Sequence, residues 1–217
     1  MVQPSFQALT SAPGFYPVVP DAQWVQKLLH WGVRTLQLRF KAGAHEDAVI
    51  ASQVRDAVAA GSAYPGAQVF INDHWQHAMA AGAYGVHLGQ EDWAALAKAD
   101  RDALRASGMR LGISTHTPEE LAIARAARPS YLAIGPIYPT TLKVMPYAPV
   151  GLAQLVQWTA LAGDVPVVAI GGITLAALPD VMACGVSGVA VVSAVTQAAD
   201  PQAAALEGLR LCALSRS

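Results

Sequence analysis

Short apolar runs recur along the chain, and most of them end on polar residues or glycine. Eight read as strands: FYPVVP from Phe15, TLQLRF from Thr35, QVFIND from Gln68, GVHLGQ from Gly85, RLGIST from Arg110, YLAIGPI from Tyr131, VPVVAIGG from Val165 and GVAVVS from Gly188. Between them lie stretches whose apolar residues recur at helical spacing, among them AQWVQKLLHWG, DAVIASQVRDAVAAG, TPEELAIARAA and LAALPDVMACG. Several close on Gly, a common helix stop. Regular alternation predicts right-handed crossovers and a parallel sheet. Eight such units predict an α/β fold, a single (β/α)8 TIM-barrel domain over residues 1–217. A doubly wound open sheet is the main alternative, but no dinucleotide fingerprint follows the first strand. Residues 1–14 read as an N-terminal extension. Residues 137–150, within the proline-rich stretch GPIYPTTLKVMPYAPVG, read as a lid loop over the active site.

In such a barrel the reactive groups sit where strands end. The polar residues follow that rule. Gln37, Arg39 and Lys41 end the second run, and Asn72 and Asp73 the third. Gln90, Glu91 and Asp92 follow the fourth, and Ser114, Thr115 and His116 the fifth. Thr140, Thr141 and Lys143 follow the sixth, Gly171 and Gly172 the seventh, and Ser193 the eighth. Strand alternation puts Gln37, Arg39 and Lys41 on one face and Leu36, Leu38 and Phe40 on the other. The apolar set belongs against the helices, so the cations face the barrel axis.

Cations near a barrel axis call for an anion. An internal salt bridge, such as Arg39 to Asp73, would supply one, and so would a bound phosphate. Asp73 and Asp92 end adjacent strands, close enough to share one ion, and the pair suits Mg²⁺ with phosphate oxygens completing its shell. Helix capping is the other role open to each acid. His45, His74, His77, His87 and His116 show no zinc spacing. Thr140, Thr141 and Lys143 offer donors to phosphate oxygens. The glycines of AIGGIT and Ser193 fall after strands seven and eight, the usual phosphate site of this fold, although a glycine pair also serves tight packing. Two anion sites result. One is metal-assisted and suits a diphosphate leaving group; the other suits a phosphate monoester.

Charged residues make up only 13% of the chain, which fits strands buried on both faces. The formal net charge of -1 offers no basic field for nucleic acid, so any anion must be held locally. No apolar run reaches the roughly 18 residues of a membrane span. The opening MVQPSFQALTSAPG lacks the segments of a signal peptide, and only Cys184 and Cys212 occur. These features predict a cytoplasmic protein with small-molecule partners, without nucleic acid or membrane; self-association is left open.

The motifs QLRFK, INDHWQHAMAAGAYGVHLGQED, LGISTHT, PTTLK, AIGGI and AVVSA, in this order from Tyr16 to about Asp200, resemble the thiamine-phosphate synthase (pyrophosphorylase) family. The resemblance implies a transferase that joins hydroxymethylpyrimidine diphosphate to hydroxyethylthiazole phosphate, releasing pyrophosphate, with Mg²⁺ as cofactor. It implies that Gln37, Leu38, Arg39, Phe40, Lys41, Asn72, Ser114 and Lys143 bind the pyrimidine diphosphate. Asp73 and Asp92 match the Mg²⁺ ligands, and Thr140, Thr141, Leu142, Gly172, Val192 and Ser193 the thiazole phosphate positions. Arg39, Lys41, Ser114 and Lys143 are the expected catalytic groups in a dissociative substitution. Leu142 departs from a family pattern Pro-Thr-x-Thr-Lys, and Phe40 replaces an acid seen in many members. A thiazole tautomerase of the same fold and a non-catalytic phosphate-binding regulator are the competing readings.

Overall fold

The computed structural model describes residues 5–41, 43, 46–140 and 147–215. Eight strands, β1 (Gly14–Val19), β2 (Thr35–Leu38), β3 (Gln68–Asn72), β4 (Gly85–Leu88), β5 (Arg110–Thr115), β6 (Tyr131–Ile134), β7 (Val167–Ile170) and β8 (Gly188–Val191), form a closed barrel in sequence order. Every neighbouring pair is parallel, and β8 closes on β1 through Gly14–Gly188 to Pro17–Val191. The helices are α1 (Ala22–His30), α2 (Asp47–Ser62), α3 (Trp75–Ala80), α4 (Gln90–Ala95), α5 (Lys98–Ala106), α6 (Pro118–Ala126), α7 (Gly151–Ala162), α8 (Leu178–Met182), α9 (Ser193–Thr196) and α10 (Pro201–Leu214). None of the described helices is long and apolar enough to cross a membrane.

Strand alternation divides the core in two. Leu36, Leu38, Val69, Ile71, Val86, Leu88, Leu111, Ile113, Leu132, Ile134, Val189 and Val191 pack outward in the shell between strands and helices. Tyr16, Val18, Phe70, Tyr131, Ala133, Val168 and Ala190 form a separate inner cluster. Three of its rings plug the axis: Phe70 and Tyr131 are 5.1 Å apart, and each is 5.9 Å from Tyr16. Such large rings fit only beside residues without side chains. A Cβ on Gly112 would overlap the Tyr131 ring, and one on Gly85 would meet Phe70. The plug is therefore solid, and the open space lies above it, at the C-terminal ends of the strands.

Sequence and structure differ at some boundaries. β2 ends at Leu38, two residues before the end of TLQLRF, so strand alternation no longer governs positions 39–41. LAALPDVMACG splits into a 3₁₀ turn over Leu175–Ala177 and α8, because Pro179 lacks the N–H that would join them. At the opposite face of the barrel, Phe6 is buried edge-on against Trp93, and Gln68 Nε2 donates to Ser11 Oγ at 2.7 Å.

Candidate active site

Above the aromatic plug lies a cavity of about 250 Å³. Its wall gathers Gln37 and Arg39 from the end of β2, Asn72 and Asp73 from β3, Asp92 from α4, Ser114 from β5, Thr140 from the β6–α7 loop, Gly172 after β7, and Val192 and Ser193 after β8. These ten expected site residues thus come together from the ends of seven strands, β2 to β8, and the segments that follow them. The other expected positions lie elsewhere. The Leu38 side chain is packed in the outer shell and Phe40 is half-buried against it. Lys41 is exposed and outside the cavity lining, a consequence of the early end of β2. Thr141, Leu142 and Lys143 lie outside the described residues.

Asp73 is set by a tight turn. Its φ is 62°, in the left-handed region that side chains other than Asn and Asp rarely adopt. The His74 N–H donates to the Asn72 carbonyl at 2.7 Å, closing three residues around it. Strain of this kind costs on the order of 1–3 kcal/mol and collects at working sites. Burial, then the charge of Asp92, raises the Asp73 carboxyl above its ordinary range, while Arg39 and an Asn72 hydrogen bond oppose that rise. Neither acid caps a helix: the N-caps of α3 and α4 are His74 and Gly89, without side-chain cap bonds. Among the described residues Arg39 forms no ion pair, so the internal salt bridge is not made.

Two acids that repel each other, beside an Arg39 that makes no ion pair among the described residues, form a site that suits a cation together with an anion. Among the described residues no group of three or more His, Cys, Asp or Glu could cage a metal. The two carboxylates present are the donor type of a hard ion that draws the rest of its shell from phosphate and water, as Mg²⁺ does.

Gly171 and Gly172 have φ of 100° and 68°. A Cβ on Gly172 would fall 2.5 Å from the Pro139 carbonyl oxygen and 2.6 Å from that of Tyr138. The pair thus seats the foot of the β6–α7 loop, where the Tyr138 N–H donates to the Gly171 carbonyl at 3.0 Å. Tight packing is met here, and the same backbone still lines the cavity.

Several groups on or under the wall are not among the expected site residues. His87 also faces the cavity, between Ser114 Oγ (2.8 Å from Nε2) and Tyr131 Oη (2.7 Å from Nδ1). Burial and then the charge of Arg39 push its imidazole down to about 4. Alternation within GVHLGQ already puts His87 opposite Val86 and Leu88, so its direction was legible and only its partners were not. His116 lines the wall too, stacked on Tyr147 at 5.0 Å, and both side chains bond to Glu120.

Residues 15–195 match the family described as thiamine monophosphate synthase. The chain is 52% identical over 200 residues to the thiamine-phosphate synthase of Escherichia coli K12, covering 92% of each chain, and equally so to that of Shigella sonnei. It superposes on a thiamine phosphate pyrophosphorylase from Pyrococcus furiosus with a TM-score of 0.82 and 27% identity, over 95% of this chain and 98% of that one. The 3-hexulose-6-phosphate synthase of Salmonella typhimurium, at a TM-score of 0.70 and 17% identity over 93% of this chain and 99% of that one, shares the fold alone. The chain belongs to the thiamine monophosphate synthase family.

Proposed function

We propose that the chain makes thiamine phosphate by a dissociative substitution, with hydroxymethylpyrimidine diphosphate and hydroxyethylthiazole phosphate meeting in the cavity at the C-terminal end of the barrel. The observation that carries this reading is the convergence of Arg39, Asp73 and Asp92 with Ser114 and Ser193 on one cavity. Asp73 and Asp92 would hold Mg²⁺, which when bound neutralises charge on diphosphate oxygens. Arg39 stabilises the charge growing on the leaving diphosphate, and Lys143 takes the same role in this reading, whereas Lys41 lies outside the cavity lining. Gln37, Asn72 and Ser114 orient the pyrimidine half. The backbone around Gly172, Val192 and Ser193, with Thr140 to Leu142, receives the thiazole phosphate, as the loops after strands seven and eight do widely in this fold.

The pyrimidine amino group feeds electrons toward the methylene carbon as diphosphate departs, and the thiazole nitrogen then attacks that carbon. That nitrogen has no proton to lose, so the step needs no strong general base, and His116 is left to its bond with Glu120. The loop over 137–150 serves as the lid. With no disulfide among the described residues, a reducing cytoplasmic setting is part of the reading.

The test mixes both substrates with Mg²⁺ and follows pyrophosphate. Release that needs both substrates and the metal supports the reading; a thiazole isomerisation without pyrophosphate, or binding without turnover, rejects it. Labelling the bridging oxygen then tests the dissociative course. Scrambling within bound diphosphate is expected; its absence, with return to substrate shown to be competent, rejects it.

A further inference from the structure

One hydrogen-bonded chain runs from the barrel interior to the cavity. Gln37 Nε2 donates to Tyr16 Oη at 3.3 Å, Tyr16 Oη lies 2.8 Å from Tyr131 Oη, and Tyr131 Oη lies 2.7 Å from His87 Nδ1. His87 Nε2 completes it, 2.8 Å from Ser114 Oγ. Gln37, Tyr16, Tyr131 and His87 are at most 6% exposed, whereas Ser114 is half-buried on the cavity wall. Tyr16 and Tyr131, at most 1% exposed and outside the cavity lining, find no alternative partners in water, so their two hydroxyl protons must be accounted for within the chain.

We infer that this chain has one direction, set by the Gln37 amide, which leaves the Ser114 hydroxyl proton free to be donated into the cavity, toward the diphosphate-bearing substrate. The amide nitrogen can only donate, so Tyr16 Oη accepts from it and has its single proton left for Tyr131. Tyr131 accepts that bond and gives its own proton to His87 Nδ1. A neutral imidazole with Nδ1 accepting carries its proton on Nε2, and that proton goes to Ser114 Oγ. Ser114 then accepts from below and donates from above. Diphosphate oxygens only accept, so a fixed donor matches them. The opposite direction would put the imidazole proton on Nδ1, have Ser114 donate to His87, and leave the cavity facing a hydroxyl that can only accept. Tyr16, Tyr131 and His87 are on this account positioning residues that act through Ser114. The inference rests on the reading that Ser114 meets the diphosphate-bearing substrate.

Two measurements test it. The first is ¹⁵N NMR of the His87 ring in the unaltered protein, which distinguishes the two neutral tautomers without any substitution. The Nε2–H form is expected; the Nδ1–H form overturns the inference. The second is a double-mutant cycle on turnover with Tyr131→Phe, which keeps the ring, and Ser114→Ala. Tyr131→Phe alone is expected to lower kcat roughly three- to tenfold, the size of one neutral hydrogen bond, with KM for both substrates held within about twofold. In the Ser114→Ala background the same change is expected to do less than about twofold. An equal loss in both backgrounds means that Tyr131 does not act through Ser114, and overturns the inference while leaving the role of Ser114 standing. A Ser114→Ala protein with unchanged kcat removes that role itself, and the inference with it. If Tyr131→Phe fails to fold, the tautomer measurement decides alone.

Discussion

Asp73 and Asp92, at the ends of neighbouring units of the barrel, share one cavity wall, and the charge of Asp92 helps to hold the Asp73 carboxyl above its ordinary range. Burial is the larger cause, and Arg39 works against both. In the metal-free protein, Asp92→Asn is therefore expected to bring the Asp73 titration down without returning it fully to the usual carboxylate range. Carboxyl ¹³C NMR across acid pH measures this directly. An unmoved Asp73 would mean that the two acids do not sense each other.

His87 makes stability depend on pH. Its folded pKa, about 4, lies below the ordinary 6.5, so the unfolded chain binds the extra proton first. The contribution of the neutral buried ring is complete above about 6.5 and is lost as pH falls toward 4. It amounts to about 3 kcal/mol by linkage. A His87→Gln variant is expected to show a flatter fall in unfolding free energy between pH 6.5 and 4, as read by urea denaturation at several pH values. The same slope in both proteins would show that another group is responsible.

Gly172 combines a φ of 68° with carbonyl oxygens 2.5 and 2.6 Å from where a Cβ would stand. Gly172→Ala is expected to cost on the order of 1–3 kcal/mol in stability and to displace the foot of the β6–α7 loop at Tyr138 and Pro139. KM for the thiazole phosphate should rise more than KM for the pyrimidine diphosphate. Thermal unfolding and separate KM determinations check the two halves, and equal changes in both constants would argue that Gly172 serves packing alone.

The resemblance read from the sequence implies a hydroxyl residue, from a Pro-Thr-x-Thr-Lys pattern, where Leu142 stands. A hydrogen bond to a charged group is worth about 1.5–3 kcal/mol, so Leu142→Thr is expected to tighten thiazole phosphate binding about tenfold or more. Calorimetric titration with that substrate gives the answer. Unchanged or weaker affinity would mean that this hydroxyl is not needed here.

The barrel was legible because its strands are runs such as Val69–Phe70–Ile71 and Val167–Val168–Ala169, apolar on both faces as parallel strands must be. The mouth was legible because Asn72, Asp73 and Ser193 follow such runs directly. What sequence could not supply is height along the axis. Alternation turns Tyr16, Tyr131 and His87 inward, but only the closed register brings Tyr131 beside His87 across β5. Lys41 shows the reverse limit. The alternation that holds through Leu38 stops there, and a lysine expected at the axis is exposed. LAALPDVMACG shows another, where helical spacing ran through Pro179 but the backbone could not.

The most direct test of the account follows pyrophosphate release while Mg²⁺ is titrated, in the unaltered protein and in Asp73→Asn and Asp92→Asn. Each substitution is expected to lower the saturating rate and to raise the Mg²⁺ concentration for half-maximal rate by about tenfold or more. A rate and a magnesium dependence that stay the same in either variant would contradict the claim that these two acids hold the ion that helps diphosphate leave.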